Sequence, residues 1–244
     1  MAQTVRLYER GVRIFAGRLY NHDYLWFSSN EISKLSTTQP FLHNYALCYA
    51  LSQRSHRICV GSVPKYVNDP DGEFGAMPLY ATPAHASNVQ RTSITFNAVD
   101  SLTLTTGDSK TINTPNLGKR VYLDLLWERL DAERPQLGYE FYVFTFDGYC
   151  LPGAFRLGKK GTPVRARWEE LPNAVAVFRE QPQRPTHVVN PLDVSGQLLS
   201  YDPVSIPPHL LLRTATVERD WFVFTGQHAI HVPKRVLTRI GAVS

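Results

Sequence analysis

Five basic side chains, Arg156, Lys159, Lys160, Arg165 and Arg167, fall within twelve residues that contain no Asp or Glu. Gly158 and Gly161 bracket the two lysines. Glycine lets backbone N–H groups come close to a phosphate. Each cation placed on a phosphate releases counterions, so a handful supports salt-dependent binding of a nucleic acid. A lysine-rich hairpin tip also shields a sheet edge from other chains, and that reading stands beside the first. A second set starts at Arg91 and Thr92. Beyond them Ile94, Phe96 and Ala98 alternate with Ser93, Thr95 and Asn97, which predicts a strand with one core face and one small polar face. A polar sheet face beside an arginine suits single-stranded RNA, read by stacking and through its 2′-hydroxyls. An ordinary exposed strand shares the pattern. The third set is His43 and Asn44, in the first turn of an expected helix. They either meet a phosphate at the positive helix end or satisfy nearby backbone.

His43, Tyr45 and Lys159 are residue types from which a metal-free ribonuclease could draw its acid and base. His228 and His231 are three apart, which on a strand turns them to opposite faces. No other His, Cys or carboxylate group has metal-ligand spacing. The chain has no G-x-S-x-G, GxxxxGK[ST] or GxGxxG motif, so neither hydrolysis nor nucleotide turnover is indicated. No metal and no cofactor are expected.

The elements that must position these groups are mainly strands. Val12 to Phe27 alternates apolar and polar residues, with a turn at Asn21-His22-Asp23. Thr38-Gln39-Pro40 predicts a helix start, and Phe41 to Ser52 is apolar nearly all round, the mark of a covered helix. Residues 61–90 are broken by Gly and Pro and read as a long loop or an inserted hairpin. A second loop is expected over 105–119, and Val121 to Leu130 has helical spacing. Tyr139 to Phe146 is apolar on both faces, as a central strand is. Asp147-Gly148 predicts a tight turn. A return strand follows at Ala154 to Leu157, then Val164, Ala166 and Trp168 face inward and Arg165 and Arg167 outward. Trp221 to Thr225 predicts a second buried strand, with Ala229 to Val232 beside it. Pro233 opens a short final helix.

Composition sets the frame. The chain has 244 residues, 43% hydrophobic and 19% charged, enough for a core and far from a disordered polyelectrolyte. The net charge of +5 favours an anionic partner. Cys48, Cys59 and Cys150 form no CxxC pair and are expected as buried free thiols in a reducing compartment. Neither a signal peptide nor a bilayer-spanning stretch is expected, which points to the cytoplasm and to no membrane partner.

Several segments in order resemble one family. They are Asn30-Glu31-Ile32-Ser33 followed by Leu42 to Leu51, then Tyr80-Ala81-Thr82-Pro83-Ala84, Arg91 to Asn97, Phe155 to Lys159, and Pro233 to Leu237. Together they resemble the Csc-one group of Cas-five-type subunits of type I-D CRISPR systems. The resemblance implies an α+β fold with a ferredoxin-like, RRM-related core. It places an RNA-binding region at 1–170, with an inserted thumb over about 61–120, and a smaller β-rich region at 171–244. It also implies a subunit of a crRNA-guided interference (Cascade) complex in antiviral defence. Such a subunit caps the crRNA 5′ handle, lies near target DNA at the PAM, and bridges the large subunit to the backbone subunits. The expected RNA contacts are Arg91, Thr92, Asn97, Arg156, Lys159, Lys160, Arg165 and Arg167, with His43 and Asn44. One branch of the wider family cuts precursor crRNA with an adjacent Lys-His pair and a Tyr. This sequence has no Lys-His dipeptide, so no catalysis is expected. The alternative is a metal-free endoribonuclease that processes precursor crRNA.

Overall fold

Residues rich in alternating apolar, aromatic and β-branched side chains form strands through most of the chain. The computed structural model describes residues 3–32, 35–53, 70–87, 89–97, 117–124 and 138–242. Its strands are β1 (Thr4–Arg6), β2 (Val12–Asn21), β3 (Asn30–Ile32), β4 (Leu35–Thr37), β5 (Phe41–Leu42), β6 (Leu79–Ala81), β7 (Ala84–Ser87), β8 (Gln90–Asn97) and β9 (Leu117–Asp124). They continue as β10 (Gly138–Phe146), β11 (Ala154–Leu157), β12 (Thr162–Leu171), β13 (Val175–Arg179), β14 (Gln197–Val204), β15 (Leu211–Glu218), β16 (Asp220–Thr225) and β17 (His228–His231). The α-helices among the described residues are short: α1 (Asn44–Leu51), α2 (Pro70–Gly75) and α3 (Lys234–Arg239). The described chain is therefore mostly β, more so than the α+β expectation.

The central sheet runs β11-β12-β2-β10-β7-β5, and β6 also pairs with β10. Every pairing in it is antiparallel. β10 is buried along almost its whole length because it has neighbours on both edges and cover on both faces. A second sheet, β1-β13-β16-β17, is built mostly from the C-terminal part but takes its edge strand from residues 4–6. A small sheet, β3-β4-β9-β8, joins the body through a bridge between Leu25 and Leu123. β14 and β15 form a separate two-stranded ribbon. One apolar cluster spans the chain, from Leu7 and Ile14 through Leu47, Phe144 and Val223 to Leu237.

Several expectations hold: the β2 and β10 strands, the turn at Asp147-Gly148, the β16–β17 pair, and the last helix after Pro233. Others change. The first helix starts at Asn44, not after Pro40, because Phe41 and Leu42 pair with β7. Leu117–Asp124 is a strand that pairs with β8, so the helical reading fails for Val121 to Asp124, and residues 125–130, which carry the rest of that spacing, lie outside the described region. The expected loop at 61–90 carries α2, β6 and β7 where it is described. β11 pairs with β12 and does not return alongside β10. Ile94 is 37% exposed, since β8 has only β9 beside it among the described strands. Phe96 and Ala98, its expected partners on a core face, have side chains outside the described residues.

Cys48 is buried and its sulfur accepts the Ala81 N–H at 3.2 Å; burial pushes its thiol up to about 12. Cys150 is exposed, against the expectation of buried thiols, and Cys59 lies outside the described residues. No helix among the described residues is long and apolar enough to cross a membrane.

A buried polar knot ties the ends of the chain to the middle. The Tyr80 hydroxyl donates to Asp193 Oδ1 at 2.7 Å and accepts from Arg235 Nη1 at 2.8 Å. Asn44 Nδ2 donates to the same hydroxyl at 2.9 Å, and Asn190 Nδ2 donates to Asn44 Oδ1 at 3.2 Å. Arg235 lies 3.4 Å from Asp193 Oδ1, both side chains largely withdrawn from solvent. Removing one partner of such a pair leaves an uncompensated buried charge. Asp193→Ala is expected to lower unfolding free energy by about 3 kcal/mol or more, read from urea denaturation; a midpoint equal to wild type would show that the knot carries no stability.

Candidate nucleic-acid interface

The basic tip is held by its neighbours before it meets any ligand. β11 and β12 pair from Leu157↔Thr162 to Ala154↔Arg165, so residues 158–161 form the turn. Gly158 has φ +81°, and a Cβ there would lie 2.8 Å from the Trp26 carbonyl oxygen. The position therefore requires glycine. Lys159 N–H donates to that Trp26 carbonyl at 3.0 Å, and Gly161 N–H donates to the Gly158 carbonyl at 3.0 Å. Arg156 Nη1 donates to the Gly161 carbonyl at 2.8 Å. The glycines were expected to free backbone N–H groups for a phosphate. Those of Lys159 and Gly161 are instead spent inside the protein, and Arg156 closes the turn.

The lysine side chains reach a pair of rings on neighbouring elements. Lys159 Nζ lies 5.2 Å from the Trp26 ring centroid, and Arg120 sits over the same ring at 4.2 Å. Lys160 Nζ lies 5.2 Å from the Tyr122 ring. Trp26 and Tyr122 are 6.5 Å apart, and Tyr24 is 5.9 Å from Tyr122. Cation–π attraction and apolar stems hold these side chains along the rings while their heads stay near water. Lys159 also lies 3.9 Å from Glu31, an exposed pair of little energetic weight. Arg120 and Tyr122 are two apart on β9 and share a face. A strand reading of 117–124 would have found them; the helical reading separates them.

Along β12, Arg165 and Arg167 are both exposed and share a face. They lie opposite Tyr20 and Arg18 of β2. Arg167 is 5.9 Å from the Tyr20 ring, and Arg18 donates to Glu140 at 2.6 Å. The hairpin tip and these two arginines thus follow one another as a basic run along β12 and its turn.

The other expected contacts separate. On β8, Arg91 is exposed with Ser93 and Thr95, and the face continues onto exposed Lys119 of β9. Thr92 turns to the opposite face, where its hydroxyl lies 3.5 Å from Asp124 Oδ2. Asn97 pairs with Leu117 at the end of the ladder, and its side chain lies outside the described residues. His43 and Asn44 are in the interior. His43 caps α1, its Nδ1 accepting the Tyr45 N–H at 3.3 Å. Its ring packs 4.5 Å from both Tyr45 and His209. Burial, then His209 and Arg235, hold its pKa well below the ordinary value. Asn44 is spent in the knot around Tyr80. His43 satisfies nearby backbone as one reading expected, whereas Asn44 is engaged by the side chains of Tyr80, Asp193 and Asn190, and neither residue is at the surface. Lys159 packs on Trp26, so the His43–Tyr45–Lys159 convergence is not formed.

His231 is buried against Asp220 at 3.0 Å while His228 is exposed, in line with their opposite faces. Among the described residues, no three His, Cys, Asp or Glu side chains gather as metal ligands.

Two outcomes follow from this geometry. Gly158→Ala places a Cβ in the left-handed region against backbone and is expected to destabilise by about 1–3 kcal/mol, measured by urea denaturation; a neutral result would show that the turn relaxes freely. His43 is held low by burial and His187 is pushed down to about 4 by burial. Folded histidines with depressed pKa bind fewer protons than unfolded ones, so stability is full above about 6.5 and falls as pH drops below it. The melting temperature should be lower at pH 5 than at pH 7.5, and a flat profile would refute this.

No curated protein matches the chain. A family model does, described as type I-D CRISPR-associated protein Cas5/Csc1, and it matches residues 12–240, which include both the β12 strip and the Trp26–Tyr122 platform. With nearly its whole length matched, the chain belongs to the Cas5/Csc1 family of type I-D CRISPR-associated proteins.

Proposed function

We propose that this chain is a non-catalytic RNA-binding subunit of a type I-D effector complex that caps the 5′ handle of the crRNA. The observation that carries the reading is the basic run of Lys159, Lys160, Arg165 and Arg167 along β12 and its turn, with Arg120 and Lys159 over Trp26 and Lys160 over Tyr122. Trp26 and Tyr122 are themselves buried and hold these cations in place, and cations fixed at the surface suit the phosphates of a flexible single strand. Arg91 with Ser93, Thr95 and Lys119 offers a second polar face on the small sheet. The family supports a CRISPR complex as the setting; the large subunit and the first backbone subunit are the proposed protein neighbours, and the cytoplasm the place.

A ferredoxin-like core is part of the same proposal. Four strands of the central sheet lie in the order β12-β2-β10-β7, which in chain order is fourth, first, third, second. Helix α1 lies between the first and second of these in the chain and packs on β6 and β11. That order and crossover support an RRM-like arrangement, with β11 standing where a second helix would come.

The test replaces Lys159, Lys160, Arg165 and Arg167 by Ala and measures guide RNA retention in the assembled complex across salt. Retention should fall, and the slope of log affinity against log salt should shrink by roughly one for each phosphate left without its cation. Unchanged retention and slope would overturn the site. Specific cleavage of precursor RNA by the purified chain in EDTA would replace this reading by a metal-free endoribonuclease.

A further inference from the structure

A cleft of about 800 Å³ lies between the central sheet and residues of the C-terminal region. We infer that this cleft is a second seat for single-stranded nucleic acid, built jointly by β2, β10 and β12 and by residues of the C-terminal region. The inference rests on the RNA-binding reading and extends it to residues that the basic strip does not include.

Its floor is the sheet face that carries the arginines. Register sets Arg167, Arg18 and Glu140 side by side across β12, β2 and β10, and sets Glu169, Ala16 and Tyr142 side by side in the next row. Arg165 and Arg167, two apart on one strand, are about 7 Å from each other. That step is comparable with the separation of successive phosphates in an extended strand. Arg18 is engaged with Glu140 at 2.6 Å and Arg213 of β15 with Asp202 at 3.5 Å, solvent-accessible pairs weak enough for a phosphate to compete for the cation. The C-terminal region supplies the opposite wall, including Arg213 of β15 and the turn that leads to His228. The basic strip on β12 therefore runs straight into the cleft.

The rings favour bases over an acidic peptide. Tyr142 is flanked edge-on by His187, with centroids 5.4 Å apart, and by His228 at 6.5 Å. His187 is a neutral ring wall: its Nε2 accepts the His231 N–H at 3.1 Å, and its Nδ1 lies 2.8 Å from the Val188 carbonyl. Glu140 and Glu169 in the lining repel any polyanion, but carboxylates also accept hydrogen bonds from the amino edges of bases, groups that an acidic peptide side chain lacks. Cations, ring faces and carboxylate acceptors in one cleft match a nucleotide strand better than any polymer of carboxylates.

The probe is a single-stranded RNA decamer carrying 4-thiouridine, photo-crosslinked to the full chain and mapped by mass spectrometry, with affinity read by fluorescence anisotropy. Cross-links are expected in the peptides containing Tyr142 and His228. The double variant Arg213→Ala/His228→Ala alters two exposed side chains, so the fold should survive, as checked by circular dichroism. It should bind about tenfold more weakly and lose those cross-links. Lys159→Ala/Lys160→Ala should weaken binding but keep them. Cross-links confined to the hairpin, with the cleft variant binding as wild type, would overturn the cleft proposal and leave the RNA-binding reading standing. Binding untouched in both variants would overturn both. Displacement of the RNA by a glutamate decapeptide from wild type but not from the cleft variant would overturn the nucleic-acid assignment and give the cleft to a polypeptide.

Discussion

Val12 to Leu19 of β2 lie antiparallel to Tyr139 to Phe146 of β10, and every other strand of the central sheet is built outward from one of these two. β12 adds to the free side of β2, and β6 and β7 add to the free side of β10. The main apolar cluster draws Val12, Ile14 and Leu19 from one strand and Tyr139, Phe141, Val143 and Phe144 from the other. The arginines of β12 gain their direction from the same ladder, because register with β2 decides which face Arg165 and Arg167 occupy. A one-residue slip would send both inward.

Polar groups fasten what the ladder leaves loose. Arg235 reaches in from α3 to Tyr80 and Asp193, which joins the C-terminal helix to the helix and strand that follow β2. Asp220 does similar work further on, accepting the N–H groups of Ser195 and Gly196 as well as His231. A charge this deep is tolerated because every nearby donor is aimed at it. Cation–π contacts at Trp26 and Tyr122 are looser. They hold cations near the surface, where a phosphate can compete for them.

Strands buried on both faces were legible in the sequence, since continuous apolar runs such as Tyr139 to Phe146 and Trp221 to Thr225 have few alternatives. The basic tip was legible too, because acids are missing from it. The small sheet was not. The helical reading of β9 came from Val121 spaced against Leu125 and Leu126, and within β9 no alternation opposed it, with Leu123 in the core and Tyr122 beneath Trp26 and Lys160. Burial on both faces erases period two. Asn44 was expected to meet a phosphate or nearby backbone and Arg235 only to form part of the last helix, and their pairing through Tyr80 is a long-range contact that no local pattern carries. The cleft was invisible for the same reason: its walls come from strands far apart in the chain.

The ladder also has a consequence in time. Arg18 and Glu140 face each other across it while standing 122 residues apart in sequence. Contacts that distant mark a topology with slow folding, because loop closure precedes any reward from pairing. At roughly 5–20 residues per second, the ribosome needs on the order of ten seconds to deliver β10 after β2 has emerged. Over that interval β2 is an unpaired apolar edge, open to the wrong neighbours. The nascent chain therefore depends on strands from its second half to protect β2, and the rate of synthesis becomes a determinant of yield.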